Sequence, residues 1–499
     1  MIKTESLRKA FVVSSSLNLL NKIFSYLKIL VLVAVAGMGD MLDSYFIALS
    51  VVAIYIVIFG DVFDSLGVPE LSRAWENKRY DEFNKITGHL FILAILLTII
   101  LNFLLFFTYQ YFLIFQAYGF SKEKKEIVVK MLVYLIPFTV CYLPYHAIGA
   151  FFRSQKYLSF FYFTQLIGSI VTLTYILLFN QRLQDIPISA SIGLIAGFIV
   201  MLSLGIKRYV LVCKFEFSYV SVLFKNFIPL LLILGTLQLY NVVDRSFASQ
   251  LNSGAISAMY YPMVLVSAFT AIIGVKDIIV SDLSTTQCIV KLVDNLVYFA
   301  IYIAIPISVF IKINVEPIVN ILLDFGKLTD QNKMDTVVAL SMYIIILLPA
   351  MVSPIFYRLL QVYNKMHVIF ITSLAGVALN ALMNYTFMHV FNMGMSGLLL
   401  ATNINYISFS LIMVFYTYQK LDLYLNIKGY IARFFVLGTI CIISVLVINV
   451  LFSDSNIWIL SIKLIIFLLL YSLALFLLPY KELDYFKNKI KSIMKLKTI

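Results

Sequence analysis

Apolar runs of about 20 residues or more recur along the whole chain and are separated by short polar breaks. Each run is long enough to cross roughly 30 Å of hydrocarbon as a helix. Because lipid offers no water to satisfy backbone N–H and C=O groups, we expect these segments to be helical. The predicted spans, about fourteen in all, begin near Ala10, Asp43, Gly88, Ile127, Tyr157, Ile186, Tyr219, Ala255, Leu292, Val337, Val368, Ser396, Tyr430 and Ile457.

The composition leads to the same conclusion. Of 499 residues, 62% are hydrophobic and only 13% are charged, and the mean hydropathy is +0.96. A soluble domain of this length cannot keep such a composition in solution, so we predict an all-α polytopic membrane protein. No loop is long enough to hold a soluble catalytic domain, and the sequence has no phosphate-binding loop or nucleophile motif. We therefore do not expect an enzyme.

Lysine and arginine cluster at alternate ends of the predicted spans. If the N-terminus is cytoplasmic, about 26 cationic residues lie inside or at inner helix ends, against roughly nine outside. The positive-inside rule then predicts an even number of spans and two cytoplasmic termini. Together with attraction of the basic tail to anionic lipid, it accounts for the net charge of +13, so no nucleic-acid partner is expected.

Cysteines and histidines give no sign of a metal site or a cofactor. The four cysteines lie far apart without CxxC spacing and are expected to pack as small hydrophobic residues. The four histidines are scattered over different spans without ligand spacing, so we interpret them as interfacial or packed residues. These residues are Cys141, Cys213, Cys288, Cys441, His89, His146, His367 and His389.

Two lysines, Lys22 and Lys28, lie inside the otherwise apolar first span. A lysine at bilayer depth costs at least about 2.5 kcal/mol, so it usually faces a water-filled cavity, a counter-ion or an anionic ligand. Six residues of helix leave the two lysines about 120° apart, so both can line a cavity but not one narrow stripe. Alternatively, they pair with acidic residues or reach an interface, although Lys22 lies about 18 Å along the helix from Ala10.

Several stretches resemble the MurJ family of lipid II flippases. Residues 21–28 (NKIFSYLK) and 43–48 (DSYFIA) are similar to its opening pattern, roughly S-R-x-x-G-x-x-R followed by D-A-F-F-x-A. Residues 240–251 (YNVVDRSFASQL) and 253–261 (SGAISAMYY) resemble its seventh and eighth spans. Further matches occur at residues 316–319, 324–326 and 394–402, in the expected order.

The resemblance implies two six-helix lobes around a central cavity, at residues 1–212 and 213–420. Two additional transmembrane helices would occupy residues 421–480, and residues 481–499 would form a basic cytoplasmic tail. Such a protein sits in the bacterial inner membrane and moves a polyprenyl-diphosphate-linked sugar to the outer leaflet by alternating access. The polyprenyl tail of the substrate stays in membrane lipid while the head group crosses through a polar path. In hydrocarbon, each hydroxyl without a hydrogen bond would cost several kcal/mol.

The resemblance also implies roles for individual residues. Lys22 and Lys28 match two first-span arginines of the family and are candidates for holding the diphosphate. Lysine keeps the charge but loses the planar, bidentate grip of arginine on phosphate. Asp43 matches a second-span aspartate that could pair with a first-span lysine in one state and release it in another.

Three more charged residues remain open to two interpretations. Asp61 falls near a family glutamate and could bind a coupling ion or balance a lysine. Asp244 and Arg245 stand together at the end of the seventh predicted span. They could cap or bridge a loop, or Arg245 could contact substrate.

The chain departs from the family at two cationic positions. The second-span arginine falls at Ile56 or Val57, and the eighth-span arginine falls at Val264. Since each charge-assisted hydrogen bond contributes roughly 1.5 to 3 kcal/mol, their loss favours another undecaprenyl-diphosphate-linked sugar, such as an O-antigen, capsule or exopolysaccharide unit, with lipid II as the close alternative. Two alternative functions remain, a cation-coupled multidrug antiporter of the superfamily to which MurJ belongs and a membrane scaffold that transports nothing.

Overall fold

The structure, a computed structural model, describes residues 7–155, 157–179, 182–205, 217–271, 289–324, 328–363, 365–421, 423–452, 456–480 and 482. Every regular element in these ranges is a helix, which confirms the all-α prediction. The helices are α1 (Leu7–Ala36), α2 (Asp40–Glu76), α3 (Tyr80–Gln116), α4 (Lys122–Tyr134), α5 (Ile136–Ser154), α6 (Leu158–Leu178), α7 (Asp185–Gly205), α8 (Phe217–Ala248), α9 (Ala255–Ala271), α10 (Ile289–Ile313), α11 (Val315–Leu323), α12 (Asp330–Val362), α13 (Met366–Val390), α14 (Gly394–Lys420), α15 (Ile427–Leu451) and α16 (Ile457–Leu477).

Within the described ranges, eleven helices are long and apolar enough to cross a membrane. The number becomes twelve if α4 and α5, which meet at a bend of 46°, form one broken span. The polytopic prediction is therefore confirmed, whereas the count of about fourteen stays a prediction. Residues 206–216 and 272–288, which flank α8 and α9, lie outside the described ranges.

Helix α2 is interrupted in the middle by a π-helical turn at Ala53–Val57. Such a turn inserts an extra residue and so changes which side chains share a helix face on its two sides. Pro69 lies further along the same helix, where it removes one backbone donor. The polar residues of α2 therefore fall on faces that a regular period of 3.6 residues does not predict.

Internal contacts divide the chain into two compact units. The first comprises Met1–Gly274, Phe325–Ala339 and Lys365–Asn405, and in it α1 packs against α6 and α9, while α8 packs against α13. The second comprises Val275–Asp324, Leu340–Asn364 and Tyr406–Ile499, and in it α10 packs against α12 and α15. This division does not test the predicted lobes. Their boundary after residue 212 and nearly all of the tail at 481–499 lie outside the described residues.

A polar cluster ties Glu482 to the second unit. Its carboxylate accepts hydrogen bonds from Arg433 Nε at 2.6 Å and from the Tyr302 hydroxyl at 2.8 Å. The Arg433 guanidinium lies over the rings of Tyr298 and Tyr480, at 4.3 and 4.5 Å from their centroids. Burial raises the pKa of Glu482, but the hydrogen bond from Arg433 and the charge of its guanidinium outweigh burial and hold that pKa below its ordinary value.

Candidate functional site

Helix α1 places both candidate lysines within its length. Its C-terminal end is closed by Gly37, which has a φ of +72° and donates its N–H to the Val33 carbonyl at 2.9 Å. By rise per residue, Lys22 lies about 21 Å and Lys28 about 12 Å from Ala36. Each side chain is partly exposed, and the two ammonium groups are near enough to repel each other.

Lys28 lacks a counter-ion in the part of the chain that the structure describes. Its ammonium group forms neither a hydrogen bond nor an ion pair with any described residue. A cation in this position favours an anionic ligand or water rather than a structural partner. Of the two lysines, Lys28 is thus the one whose charge is available.

The rotation of α1 is fixed by polar contacts with α6. Asn21 Oδ1 accepts a hydrogen bond from the Ser169 hydroxyl at 2.5 Å, and its Nδ2 donates to Gln165 Oε1 at 3.5 Å. Successive residues of a helix point about 100° apart, so Lys22 does not share the face that Asn21 turns to α6. Asn21 therefore positions the lysine next to it.

The carboxylate of Asp43 is fully used by hydrogen bonds to the start of α9. Oδ2 accepts from the Gly254 N–H at 2.7 Å, and Oδ1 accepts from the N–H and the hydroxyl of Ser257 at 2.8 and 2.6 Å. Only 2% of Asp43 is exposed. A carboxylate at a helix N-terminus satisfies donors that have no partner within the helix. Asp43 thus joins α2 to α9 and is not paired with Lys22 or Lys28.

Three further contacts surround the link made by Asp43. Asp40 pairs with Lys124 at 2.5 Å and accepts a hydrogen bond from the Ser253 hydroxyl. The carbonyl of Met38 accepts from Asn332 Nδ2 at 2.8 Å. Met38 precedes α2, and Asp40 and Asp43 lie in its first turn. The α1–α2 turn is therefore bonded to residues that lie more than 200 positions later in the chain, namely Ser253, Gly254 and Asn332.

Arg245 joins the same region through the backbone of α2. Its Nη1 donates to the Phe46 carbonyl at 2.9 Å, and its guanidinium lies 6.0 Å from the centroid of the Tyr260 ring. The rings of Phe46 and Tyr260 stack at 3.9 Å. We call these contacts of Asp40, Asp43, Phe46 and Arg245 with residues 253–260 the α2–α9 interface. The predicted role of Arg245 in binding substrate stays a prediction.

Asp61 and the nearby Asp64 have different surroundings. Asp61 is exposed, and the proposal that it binds an ion or balances a lysine stays untested. Asp64, which the sequence did not single out, pairs with Arg153 and lies 3.1 Å from His146 Nδ1. Arg153 also lies 4.2 Å from the centroid of the Phe161 ring. Asp64 therefore belongs to a structural ion pair inside the α2–α5 contact.

Asp244, which the sequence left with Arg245 as a pair that could cap or bridge a loop, lies in a cluster of polar side chains. Its Oδ1 accepts from Asn380 Nδ2 at 2.7 Å and from Asn384 Nδ2 at 3.0 Å, and its Oδ2 accepts from the Thr402 hydroxyl at 3.0 Å. The amide oxygens of both asparagines are buried and have no hydrogen-bond partner among the described residues. The spacing of Asn380 and Asn384, four residues apart within an apolar span, is the signal that could have revealed this cluster.

The two positions where the family has arginine remain apolar in the structure. Ile56 and Val57, the alternatives on α2, lie in its π-helical turn, and Val264 lies on α9 three residues after Tyr261. Ile56 is buried, and the two valines are partly buried. Among the described residues, no group of three or more histidine, cysteine, aspartate or glutamate side chains could hold a metal ion.

Comparison of the sequence with known proteins points to one family. The model described as lipid II flippase MurJ matches residues 32–470. A probable lipid II flippase MurJ of Buchnera aphidicola subsp. Schizaphis graminum is 24% identical over 475 residues, which cover 89% of this chain and 90% of that protein. Another, of Rickettsia prowazekii, is 26% identical over 295 residues, or 55% of this chain and 58% of that protein.

Solved structures share the fold. A lipid II flippase MurJ in an inward closed conformation matches with a TM-score of 0.77 and 19% identity, covering 93% of this chain and 97% of that chain. An inward-facing multidrug resistance transporter of the MATE family matches with a TM-score of 0.63 and 12% identity, covering 83% and 98%. At these identities the likeness shows the fold alone, and it is greater for the first structure.

Proposed function

Since the chain belongs to the lipid II flippase MurJ family, we propose that its cargo is lipid II, which it moves from the inner to the outer leaflet. The family consists of transporters of a lipid-linked substrate in the bacterial inner membrane and not of enzymes. Its members serve peptidoglycan synthesis. The identity of the sugar, the orientation of the termini and the coupling ion form part of this proposal.

The observation that carries the proposal is the free ammonium group of Lys28 on α1. A diphosphate carries its charge into a region where hydrocarbon cannot solvate it, so a fixed cation on the path lowers the barrier to crossing. Among the described residues Lys28 has no carboxylate to neutralise it. Lys22 lies about 9 Å away along the helix axis, which lets the two lysines contact both ends of one head group.

Alternating access requires a contact that closes one side of the path. The α2–α9 interface is suited to this role because it joins helices of the two predicted lobes by a carboxylate with three hydrogen bonds. With the N-terminus in the cytoplasm, the α1–α2 turn lies on the outer side. We therefore assign the α2–α9 interface as the outer gate, closed in this conformation.

The Asp244 cluster supports a coupling cation. Thr402 has one hydroxyl hydrogen but contacts two acceptors, Asp244 Oδ2 at 3.0 Å and the Leu398 carbonyl at 3.1 Å. The amide groups of Asn380 and Asn384 have nearly the same shape when rotated by 180°, which would turn their unpartnered oxygens toward the carboxylate. A cation there would then contact carboxylate, amide and hydroxyl oxygens, the ligands that hard cations prefer.

The two valines bear on the choice of sugar. With Val57 and Val264 in place of arginines, Lys22 and Lys28 carry a larger share of the diphosphate charge, whatever the sugar. In a strain that depends on this chain, depletion is expected to accumulate lipid II with its head group in the inner leaflet. Accumulation of another undecaprenyl-diphosphate-linked sugar would instead support an O-antigen, capsule or exopolysaccharide cargo.

A cation-coupled multidrug antiporter remains the alternative from another class, because transporters of the MATE family share the fold. Lys22 and Lys28 would repel cationic drugs, which argues against that function. Drug resistance on expression that is abolished by Asp61→Asn, with no effect on lipid-linked sugars, would favour the antiporter.

A further inference from the structure

The hydroxyls of two tyrosines join α1 to α9 next to the candidate lysines. Tyr26 donates to the Tyr261 hydroxyl at 2.5 Å, and the two rings lie 5.3 Å apart between centroids, tilted by 36°. Tyr261 is fully buried. This pair is a contact between the two predicted lobes that lies outside the α2–α9 interface.

The pair extends that interface along α9. Gly254, Ser257 and Tyr261 are spaced by three and four residues, so they share one face of α9. Of these three residues, Tyr261 lies farthest from the N-terminus of α9, about 10 Å from Gly254 along the axis. The tyrosine pair therefore lies deeper along α9 than the contacts of Asp43.

Tyr26 also shares a face of α1 with Lys22. The two residues are four positions apart, which leaves them only about 40° apart around the helix with neighbouring Cβ atoms. An anion held by Lys22 would therefore lie within reach of the Tyr26 hydroxyl. A phosphate oxygen is a stronger acceptor than the neutral phenol of Tyr261, because a hydrogen bond to an ionised group is roughly twice as strong.

We propose that Tyr26 is a further substrate-binding residue and that it exchanges its hydrogen bond from Tyr261 to the diphosphate of the bound lipid. The exchange releases this contact, which extends the outer gate along α9, only when the cargo is present. It thereby links occupancy of the site to opening. This inference rests on the proposed flippase function and deepens it.

Two tyrosine variants separate this role from a packing role. Tyr26→Phe keeps the ring but removes the donor to the anion, so the affinity for undecaprenyl diphosphate should fall several-fold. Tyr261→Phe removes the competing acceptor and leaves Tyr26 free to donate, so the affinity should rise roughly fivefold, the worth of one neutral hydrogen bond. If both variants shift the affinity in the same direction, or neither does, the exchange is refuted.

The measurement uses the purified full chain in detergent and titrates undecaprenyl diphosphate against intrinsic fluorescence or heat. Tyr145→Phe is the matched control, because its buried hydroxyl bonds to Thr164 at 2.9 Å within the first predicted lobe. It should bind like the unmodified protein. Equal melting temperatures confirm folding. If the unmodified chain moves lipid II but the tyrosine variants bind as it does, this inference alone fails. If the unmodified chain neither binds nor moves lipid-linked sugars, the proposed function fails.

Discussion

Replacing Asp43 by asparagine should open the outer gate in the absence of any substrate. The carboxylate accepts from Gly254 and twice from Ser257, at 2.6 to 2.8 Å. In the asparagine variant, one oxygen can still accept from Ser257. The amide NH₂ would instead face the N–H of Gly254, two donors with no acceptor between them.

The magnitude follows from the bond that is lost. One hydrogen bond to a charged group contributes about 1.5 to 3 kcal/mol. Since every 1.4 kcal/mol is a factor of ten, the ratio of closed to open gate should fall about 10- to 150-fold. The three bonds share one buried side chain and are not additive, so their summed value is not expected.

Gate closure can be measured by cross-linking Gly39→Cys with Ser253→Cys. A Cβ atom at Gly39 would lie 3.9 Å from Ser253 Oγ, and its φ of −168° is ordinary extended backbone, so the pair can form a disulfide when the gate is closed. In this background Asp43→Asn should slow oxidative cross-linking. Asp185→Asn is the matched control, because Asp185 is a buried aspartate at a helix start that accepts from the Arg182 N–H at 2.8 Å.

The competing hypothesis for Asp43 gives a different result. If Asp43 contacts the cargo instead of holding the gate, its substitution should leave substrate-free cross-linking unchanged and alter it only when lipid-linked sugar is added. An unchanged cross-linking rate without substrate, in a folded variant, would show that the three hydrogen bonds of Asp43 do not hold the gate closed.

Further predictions concern stability and ion dependence. Arg153→Ala leaves the partly buried Asp64 beside His146 alone and should destabilise the protein by about 3 to 5 kcal/mol in thermal unfolding, whereas a fall below 1 kcal/mol would show that the pair is not needed. Gly197→Ala places a Cβ 2.7 Å from the Thr164 carbonyl oxygen, so it should cost about 1 to 3 kcal/mol, and an unchanged melting temperature would contradict the close α6–α7 packing. Because the pKa of Glu482 is lowered in the folded state, the stability that its carboxylate contributes should be complete above its ordinary pKa of 4.5. That stability should be lost as the pH falls through the lower, folded-state pKa. If the stability advantage of the unmodified protein over Glu482→Gln vanished near pH 6, this prediction would be wrong. Asp244→Asn should remove any dependence of transport on sodium, and an unaltered sodium response would place the coupling ion elsewhere.

The helical fold could be predicted from the sequence because lipid leaves few choices. Each apolar run must satisfy its own backbone, so run length and charge alone indicate a polytopic helical protein. The order of the motifs then identified the family, because the stretch 240–261 combines charged and aromatic residues that chance similarity between apolar spans does not supply. The number of spans was harder to predict, since α4 and α5 meet at a bend of 46° within one apolar run.

The surroundings of the charged residues could not be predicted in the same way. The resemblance implies that Asp43 could pair with a lysine of α1 in one state, which stays a prediction, and the sequence did not indicate its partners in this structure, Gly254 and Ser257, more than 200 residues later. The π-helical turn of α2 lies between Asp43 and Asp61 and changes the angle between their side chains around the helix. A regular period of 3.6 residues therefore does not predict which face each of them occupies. The sequence suggested that Asp244 caps or bridges a loop. Its asparagine partners were not predicted, because they belong to another helix.

Movement of lipid II by the purified chain in liposomes tests the proposed function most directly. Lipid II placed in one leaflet is detected when it becomes accessible on the other side. We predict translocation by the unmodified protein, at least a tenfold loss in Lys28→Ala, and substantial activity in Lys28→Arg, which keeps the charge and adds a bidentate contact. Translocation by Lys28→Ala at the unmodified rate would contradict the assignment of the diphosphate to Lys28. A correctly folded chain that moves no lipid II would contradict the proposed cargo.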